Sequence, residues 1–160
     1  LVQQKKIEAA EQKIRQGLEI DSTVSNLYTS WSILYQQVGD HDNSIRMSKK
    51  ALLYLGPDAP TYRKITSMNN IGVSFSYKGN HDSAIYYYQK ALALDGKFNF
   101  GIYNMACEYS LVGDTTRCLD ELERALANGF NARSVLDDED LAGMLNHPRM
   151  KALLMKYAEP

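Results

Sequence analysis

The chain has 160 residues, of which 44% are hydrophobic and 23% are charged, and its formal net charge at neutral pH is −1. This length is enough for one domain, and the near-neutral charge argues against a dedicated nucleic-acid or anionic-membrane binder, which needs a basic surface. No apolar run approaches the roughly 20 residues that span a bilayer, so direct membrane insertion is not expected.

The first predicted element is a helix near the N-terminus, within residues 1–24. Small or apolar residues recur at Ala10, Ile14 and Gly17, which is the spacing of one helix face. This helix resembles the second half of a helical hairpin whose first helix is missing. Because the chain does not begin with methionine, we expect the natural protein to continue upstream of it.

A repeated pattern occupies the middle of the chain. Three stretches begin with glycine followed by a helix-capping residue, and they read GDHDNSIRMSKKALLYL, GNHDSAIYYYQKALALD and GDTTRCLDELERALANG. A run with helical periodicity precedes each of them, at 25–38, 65–78 and 99–112. Apolar or small residues recur at its fourth, seventh, eighth and eleventh places, which lie on one helix face. These residues are Tyr28, Trp31, Ser32, Tyr35, Met68, Ile71, Gly72, Phe75, Ile102, Met105, Ala106 and Tyr109.

The second helix of each copy carries a small residue, a larger one four places on, and then alanine. The three sets are Ser44, Ser48 and Ala51; Ala84, Tyr88 and Ala91; and Cys118, Leu122 and Ala125. This pattern resembles the tetratricopeptide repeat, a helix–turn–helix unit of about 34 residues. The resemblance implies an all-α fold, a right-handed superhelix of stacked hairpins, with repeats at 25–64, 65–98 and 99–132 in a single domain of residues 1–160.

The turns and the spacing between repeats make further predictions. The glycine of each turn tolerates the left-handed conformation that ends a helix, and Asp40, Asn80 and Asp114 suit the cap of the next one. The first repeat has six extra residues before Ile65, and Pro60 among them favours an early helix start. We therefore expect a longer helix over residues 60–78.

The C-terminal segment 133–160 departs from the repeat. It resembles the capping segment that ends some bacterial tetratricopeptide arrays, and it predicts two short helices whose leucines pack back on the last repeat. The acidic run DDED at 137–140 lies at a helix start, where negative charge complements the helix dipole. It lacks the ligand spacing of a calcium loop, so no metal is expected.

No catalytic constellation is recognisable, and the protein is predicted not to be an enzyme and to need no cofactor. His41 and His81 occupy the same place in two repeats, which favours a structural role, and His147 precedes the proline of a predicted helix start. Cys118 occupies a small-residue contact position, and Cys107 lies on another face of its helix. Two cysteines are too few for a disulfide framework, and their spacing matches no metal motif.

Charge placement indicates where a partner would bind. The three runs that form first helices contain only two charged residues, Lys78 and Glu108. In the tetratricopeptide family these helices line a concave groove, and the resemblance assigns to peptide binding Asn69, Asn70, Tyr77, Phe100, Tyr103, Asn104 and Cys107. Asparagine can hydrogen-bond with both the N–H and the C=O of a peptide backbone, and aromatic rings add contact area. An alternative explanation is that first helices are merely more buried.

The uncharged groove predicts a partner that is a protein or an extended peptide of neutral to mildly apolar character. The family's carboxylate clamp, which grips the acidic tails of chaperones, needs lysine and arginine in the groove. Asn70 matches one clamp asparagine, but the basic positions hold Thr29, Phe100 and Asn104, so this ligand is not expected. The leading interpretation is a non-catalytic interaction module. The alternative is a regulatory or sensor segment of a longer bacterial protein.

Overall fold

The computed structural model describes the backbone of residues 2–157 and the side chains of residues 7–157. The fold is all-α, as predicted, and the described residues contain no strand. The α-helices are α1 Val2–Ile20, α2 Ser25–Gln37, α3 His41–Leu53, α4 Thr61–Tyr77, α5 His81–Leu94, α6 Asn99–Leu111, α7 Thr115–Ala127, α8 Ala132–Leu136 and α9 Pro148–Tyr157. A 3₁₀ helix, Glu139–Met144, lies between α8 and α9. None of the described helices is long and apolar enough to cross a membrane.

The helix ends follow the chemistry of the turns. Gly39 and Gly113 have φ angles of 76° and 78°, in the left-handed region that glycine adopts without strain. The next residue caps the following helix, because Asp40 accepts from the Asn43 N–H at 3.1 Å and Asp114 from the Arg117 N–H at 2.9 Å. The predicted glycine turns and aspartate caps are therefore confirmed at these positions.

The predicted long helix is also present. Helix α4 has 17 residues, whereas α2 and α6 each have 13. Pro60 stands immediately before its first residue, with a φ of −53° that suits helix entry. The extra residues of the first repeat are therefore used partly to lengthen a helix.

The chain forms two compact units, Leu1–Asn80 and His81–Pro160. Unit 1 contains α1 to α4, and its apolar core is centred on Tyr28, Met47 and Ala51. Gly17 allows α1 to approach α2, because a side chain added there would lie 2.7 Å from the Leu27 Cδ1 atom. The assignment of residues to individual repeats stays a prediction.

A buried chain of serine hydroxyls joins α2, α3 and α4 within unit 1. Ser32 Oγ lies 3.0 Å from Ser44 Oγ and 2.6 Å from Ser48 Oγ, and Ser74 Oγ donates to Ser44 Oγ at 2.9 Å. Small side chains let the helices approach closely, and the mutual hydrogen bonds satisfy hydroxyls that are shielded from water. Small residues predicted for packing thus also carry a polar network.

Unit 2 contains α5 to α9. Its core combines residues of the last hairpin with residues of the C-terminal segment, and the fully buried apolar side chains include Ile102, Leu119, Leu122, Val135, Leu141 and Met150. His147 lies just before α9, and its Nδ1 atom accepts from the Arg149 N–H at 3.2 Å. The predicted role of His147 at a helix start is therefore confirmed.

Candidate functional site

In unit 1, three predicted binding residues lie on α4. Asn70 is only 8% exposed, and its backbone oxygen accepts from Gln36 Nε2 at 2.9 Å. Within the described part of the chain, the Asn70 Nδ2 atom is buried and has no hydrogen-bond partner. Asn69 is half-buried, and Tyr77 is 73% exposed, with its ring stacked on His41 at a centroid distance of 4.9 Å. Unit 1 thus offers an exposed ring and a buried amide group with unused hydrogen-bonding capacity.

In unit 2, the four predicted residues on α6 separate into two pairs. Phe100 is 65% exposed and Asn104 is half-buried, whereas Tyr103 and Cys107 are buried. The Tyr103 ring stacks on Phe130 at a centroid distance of 3.9 Å. Phe130, which lies between α7 and α8, therefore supplies a contact that the helical pattern of α6 did not reveal.

The Asp138 carboxylate, in the C-terminal segment, provides a second contact to α6. Tyr103 donates its hydroxyl to Asp138 Oδ2 at 2.7 Å, and the Cys107 sulfur lies 3.9 Å from the same oxygen. Ser110 donates to the backbone oxygen of Asp140 at 2.7 Å. Polar atoms of α6 are thus engaged by the residues that follow the last repeat. In the sequence, this contact corresponds to the acidic run at 137–140. The position of that run indicated a helix start but not a contact with α6.

These surroundings oppose ionisation of the Tyr103 hydroxyl and the Cys107 thiol. Burial raises the pKa of the Tyr103 hydroxyl, and its hydrogen bond to Asp138 raises that pKa further. Burial also raises the pKa of the Cys107 thiol, with the nearby Asp138 charge acting in the same direction. A catalytic cysteine needs the opposite shift, toward thiolate at neutral pH. Neither side chain therefore has the properties of a nucleophile or general base.

Cys107, Asp138 and Asp140 are the described groups whose spacing would suit a metal ion. Their potential ligand atoms all lie within 4.8 Å of one another. Asp138 Oδ2 is already an acceptor for the Tyr103 hydroxyl. Hydrogen bonds between α6 and the C-terminal segment already hold these residues close together.

Unit 2 also contains a buried contact between a histidine and a glutamate that the sequence did not predict. Glu108 is 1% exposed, and its Oε2 atom lies 2.7 Å from His81 Nδ1. A buried carboxylate is costly unless it is paired, so His81 provides compensation that His41 does not need to provide in unit 1. The sequence feature that could have indicated this contact is Glu108 itself, which is the one charged residue in the run 99–112. Helical periodicity did not identify its partner 27 residues earlier.

Both thiols are expected to be free and unreactive in the folded protein. Cys107 and Cys118 are buried and unpaired, and burial raises the pKa of Cys118 to about 11. A thiol with a raised pKa is largely protonated at about pH 8 and reacts slowly with disulfide reagents. Titration of denatured, unreduced protein should yield two thiols per chain, whereas the native protein should react slowly. Absence of free thiols after denaturation would contradict this expectation.

Comparison with known proteins supports the repeat architecture. Residues 23–97 match the family model described as tetratricopeptide repeat. The solved structure of MamA is 15% identical, covers 97% of this chain and 86% of its own, and has a TM-score of 0.73. That of PilW, described as a widely conserved type IV pilus biogenesis factor, is 18% identical, with coverages of 94% and 69% and a TM-score of 0.76.

A third similar structure is that of YrrB, described as a TPR protein with an unusual peptide-binding site. It is 16% identical, covers 98% of this chain and 79% of its own, and has a TM-score of 0.65. No curated protein matches the chain. At these identities the structural similarity establishes the fold alone.

Proposed function

Because residues 23–97 belong to the tetratricopeptide repeat family, we propose that this protein is a non-catalytic module that binds a protein or an extended peptide. The observation that carries the proposal is the Asn70 amide, whose buried Nδ2 atom has no hydrogen-bond partner in the described part of the chain. A buried donor left unsatisfied costs about 1–3 kcal/mol, and a peptide carbonyl would remove that cost once the Asn70 side chain rotates toward the surface. The neighbouring Asn69 and the exposed Tyr77 ring supply further contacts on the same helix.

In unit 2, we propose that Phe100 and Asn104 contact the peptide directly. Phe100 is largely exposed, and an exposed aromatic ring gives contact area at low entropic cost. Tyr103 and Cys107 are less accessible, because Phe130 and Asp138 contact them. Their predicted part in binding therefore requires Phe130 and the C-terminal segment to move aside.

The chemistry of these residues favours a neutral to mildly apolar partner. None of the seven predicted binding residues carries a formal charge at neutral pH, so they cannot recruit a charged tail through ion pairs. Affinity should then change little between about 0.05 M and about 0.5 M salt, because screening acts mainly on exposed charges. A strongly salt-dependent interaction would contradict this part of the proposal.

The direct test uses peptides selected from a random display library on the purified protein. Replacing both Asn70 and Asn104 with alanine is expected to weaken binding of the selected peptide, measured by calorimetry. The expected loss is about 1–3 kcal/mol for each desolvated hydrogen bond to the peptide backbone that the substitution removes. Asn128→Ala is the matched control, because it removes an exposed asparagine side chain outside the predicted groove. Unchanged affinity of the folded double variant would refute the assignment of the binding site.

A further inference from the structure

A cleft opens at the C-terminal end of unit 2, and none of the seven predicted binding residues is among those that line it. It lies between the segment around α8 and the last turns of α9, and its volume is about 830 Å³. Its lining includes Phe130, Arg133, Leu136, Leu154, Lys156 and Tyr157. None of the lining residues is acidic, so the cleft combines an apolar surface with positive charge only.

Leu136 gives this cleft its apolar character. Its side chain is 54% exposed, although the preceding residue, Val135, is completely buried in the core. Leu126 forms part of the buried lining, and Leu154 is half-buried. Covering the exposed part of a leucine with an apolar side chain is favourable by about 25 cal/mol for each Å² removed from water. The cleft is therefore suited to one large aliphatic or aromatic side chain.

The two cations of the lining differ in their surroundings. Lys156 Nζ is paired with Glu123 at 3.1 Å, and Glu123 also contacts Arg149 at 3.0 Å. Arg133 has no ion pair among the described residues, and only its backbone N–H is engaged, by Asn131 Oδ1 at 2.8 Å. The guanidinium of Arg133 thus remains available for a carboxylate, which it can bind through two parallel hydrogen bonds.

Phe130 connects the cleft with the predicted binding surface of unit 2. Its ring lines the cleft and also makes an edge contact with the exposed Phe100, at a centroid distance of 6.2 Å. A peptide in the cleft therefore has a neighbouring aromatic surface along which the chain can continue.

We propose that this cleft is a second binding site, for a peptide segment in which a large apolar side chain stands next to a carboxylate. The apolar side chain packs on Leu136 and Leu154, and the carboxylate pairs with Arg133. Charge complementarity carries the choice of partner, because the lining offers an unpaired cation and no competing acid. The site does not depend on Asn69 or Asn70, so it remains testable if the proposed groove is wrong.

The test uses the full chain, labelled with ¹⁵N, and two synthetic peptides that differ in one group. The first probe is acetyl-Ser-Leu-Glu-Leu-Ser-amide, and the second carries glutamine in place of glutamate. We expect the first to shift the amide resonances of the lining residues and to bind about fivefold more tightly, which is the usual scale of an exposed ion pair. Arg133→Gln should remove this preference while leaving the weaker binding of the glutamine probe unchanged.

Two exposed residues of α9 outside the lining provide matched controls. Leu136→Ser should weaken the binding of both probes about tenfold, because it removes apolar surface from the cleft. Met155→Ser should leave the binding of both probes unchanged. Lys151→Gln should preserve the preference for glutamate that Arg133→Gln removes. Equal binding of the two probes to the unmodified protein, or shifts that avoid the lining residues, would overturn the proposal. A dimer in solution that Leu136→Ser dissociates would assign the cleft to a second copy of the chain and equally overturn it.

Discussion

Replacement of His81 by alanine is expected to destabilise the protein by about 3 kcal/mol, because the buried Glu108 carboxylate loses its partner. The two side chains are 2.7 Å apart, and the Glu108 side chain is almost completely shielded from water. Urea unfolding should show the decrease in the free energy of unfolding. Hydrogen exchange should show that amides of α5 and α6, in unit 2, lose protection.

His41 provides the matched control, since it occupies the same place in the preceding repeat. It stacks on Tyr77, and its Nδ1 atom has no hydrogen-bond partner among the described residues. His41→Ala should therefore cost about 1 kcal/mol or less, the usual scale of a ring contact. Adding Glu108→Gln to His81→Ala should recover part of the loss, because the buried group no longer carries a charge. Equal effects of the two histidine substitutions would show that the buried pair is not what distinguishes them.

Replacement of Ala125 by leucine is expected to cost about 2 kcal/mol through overpacking. Ala125 is completely buried on α7, and the larger side chain would have to displace neighbours in a close-packed interior. Ala127→Leu is the control, because Ala127 is exposed two residues further along the same helix. The control should change stability by no more than about 0.5 kcal/mol, measured by thermal or urea unfolding. Equal stability of the two variants would mean that Ala125 does not occupy a close helix contact.

The candidate site was predictable only in part. Periodicity predicted the helices α4 and α6, and the family resemblance assigned uncharged polar and aromatic residues on them to binding. The structure leaves Tyr77 and Phe100 among these residues exposed. Periodicity did not predict that Tyr103 would be buried, because the contact comes from Phe130, which follows α7 and is far from Tyr103 in the sequence. The unpartnered amide of Asn70 was equally invisible, since hydrogen bonding depends on neighbours that packing brings together.

The sequence by itself determined where the helices form and where they end. Helical period, glycine at each turn and aspartate or asparagine after it are local features, and they act through backbone conformation and capping within a few residues. Gly39 with Asp40 and Gly113 with Asp114 illustrate this, because each residue's role needed no distant partner.

Only the tertiary structure decided which polar residues pair and which remain available. His81 meets Glu108 on the following helix, and the residues that follow the last repeat reach back to α6 through Asp138. Such pairs join residues that are far apart in the sequence, and they depend on side-chain direction and helix approach. Periodicity specifies the face on which a residue lies, but the energy of a buried polar group depends on the particular atoms that packing brings to it.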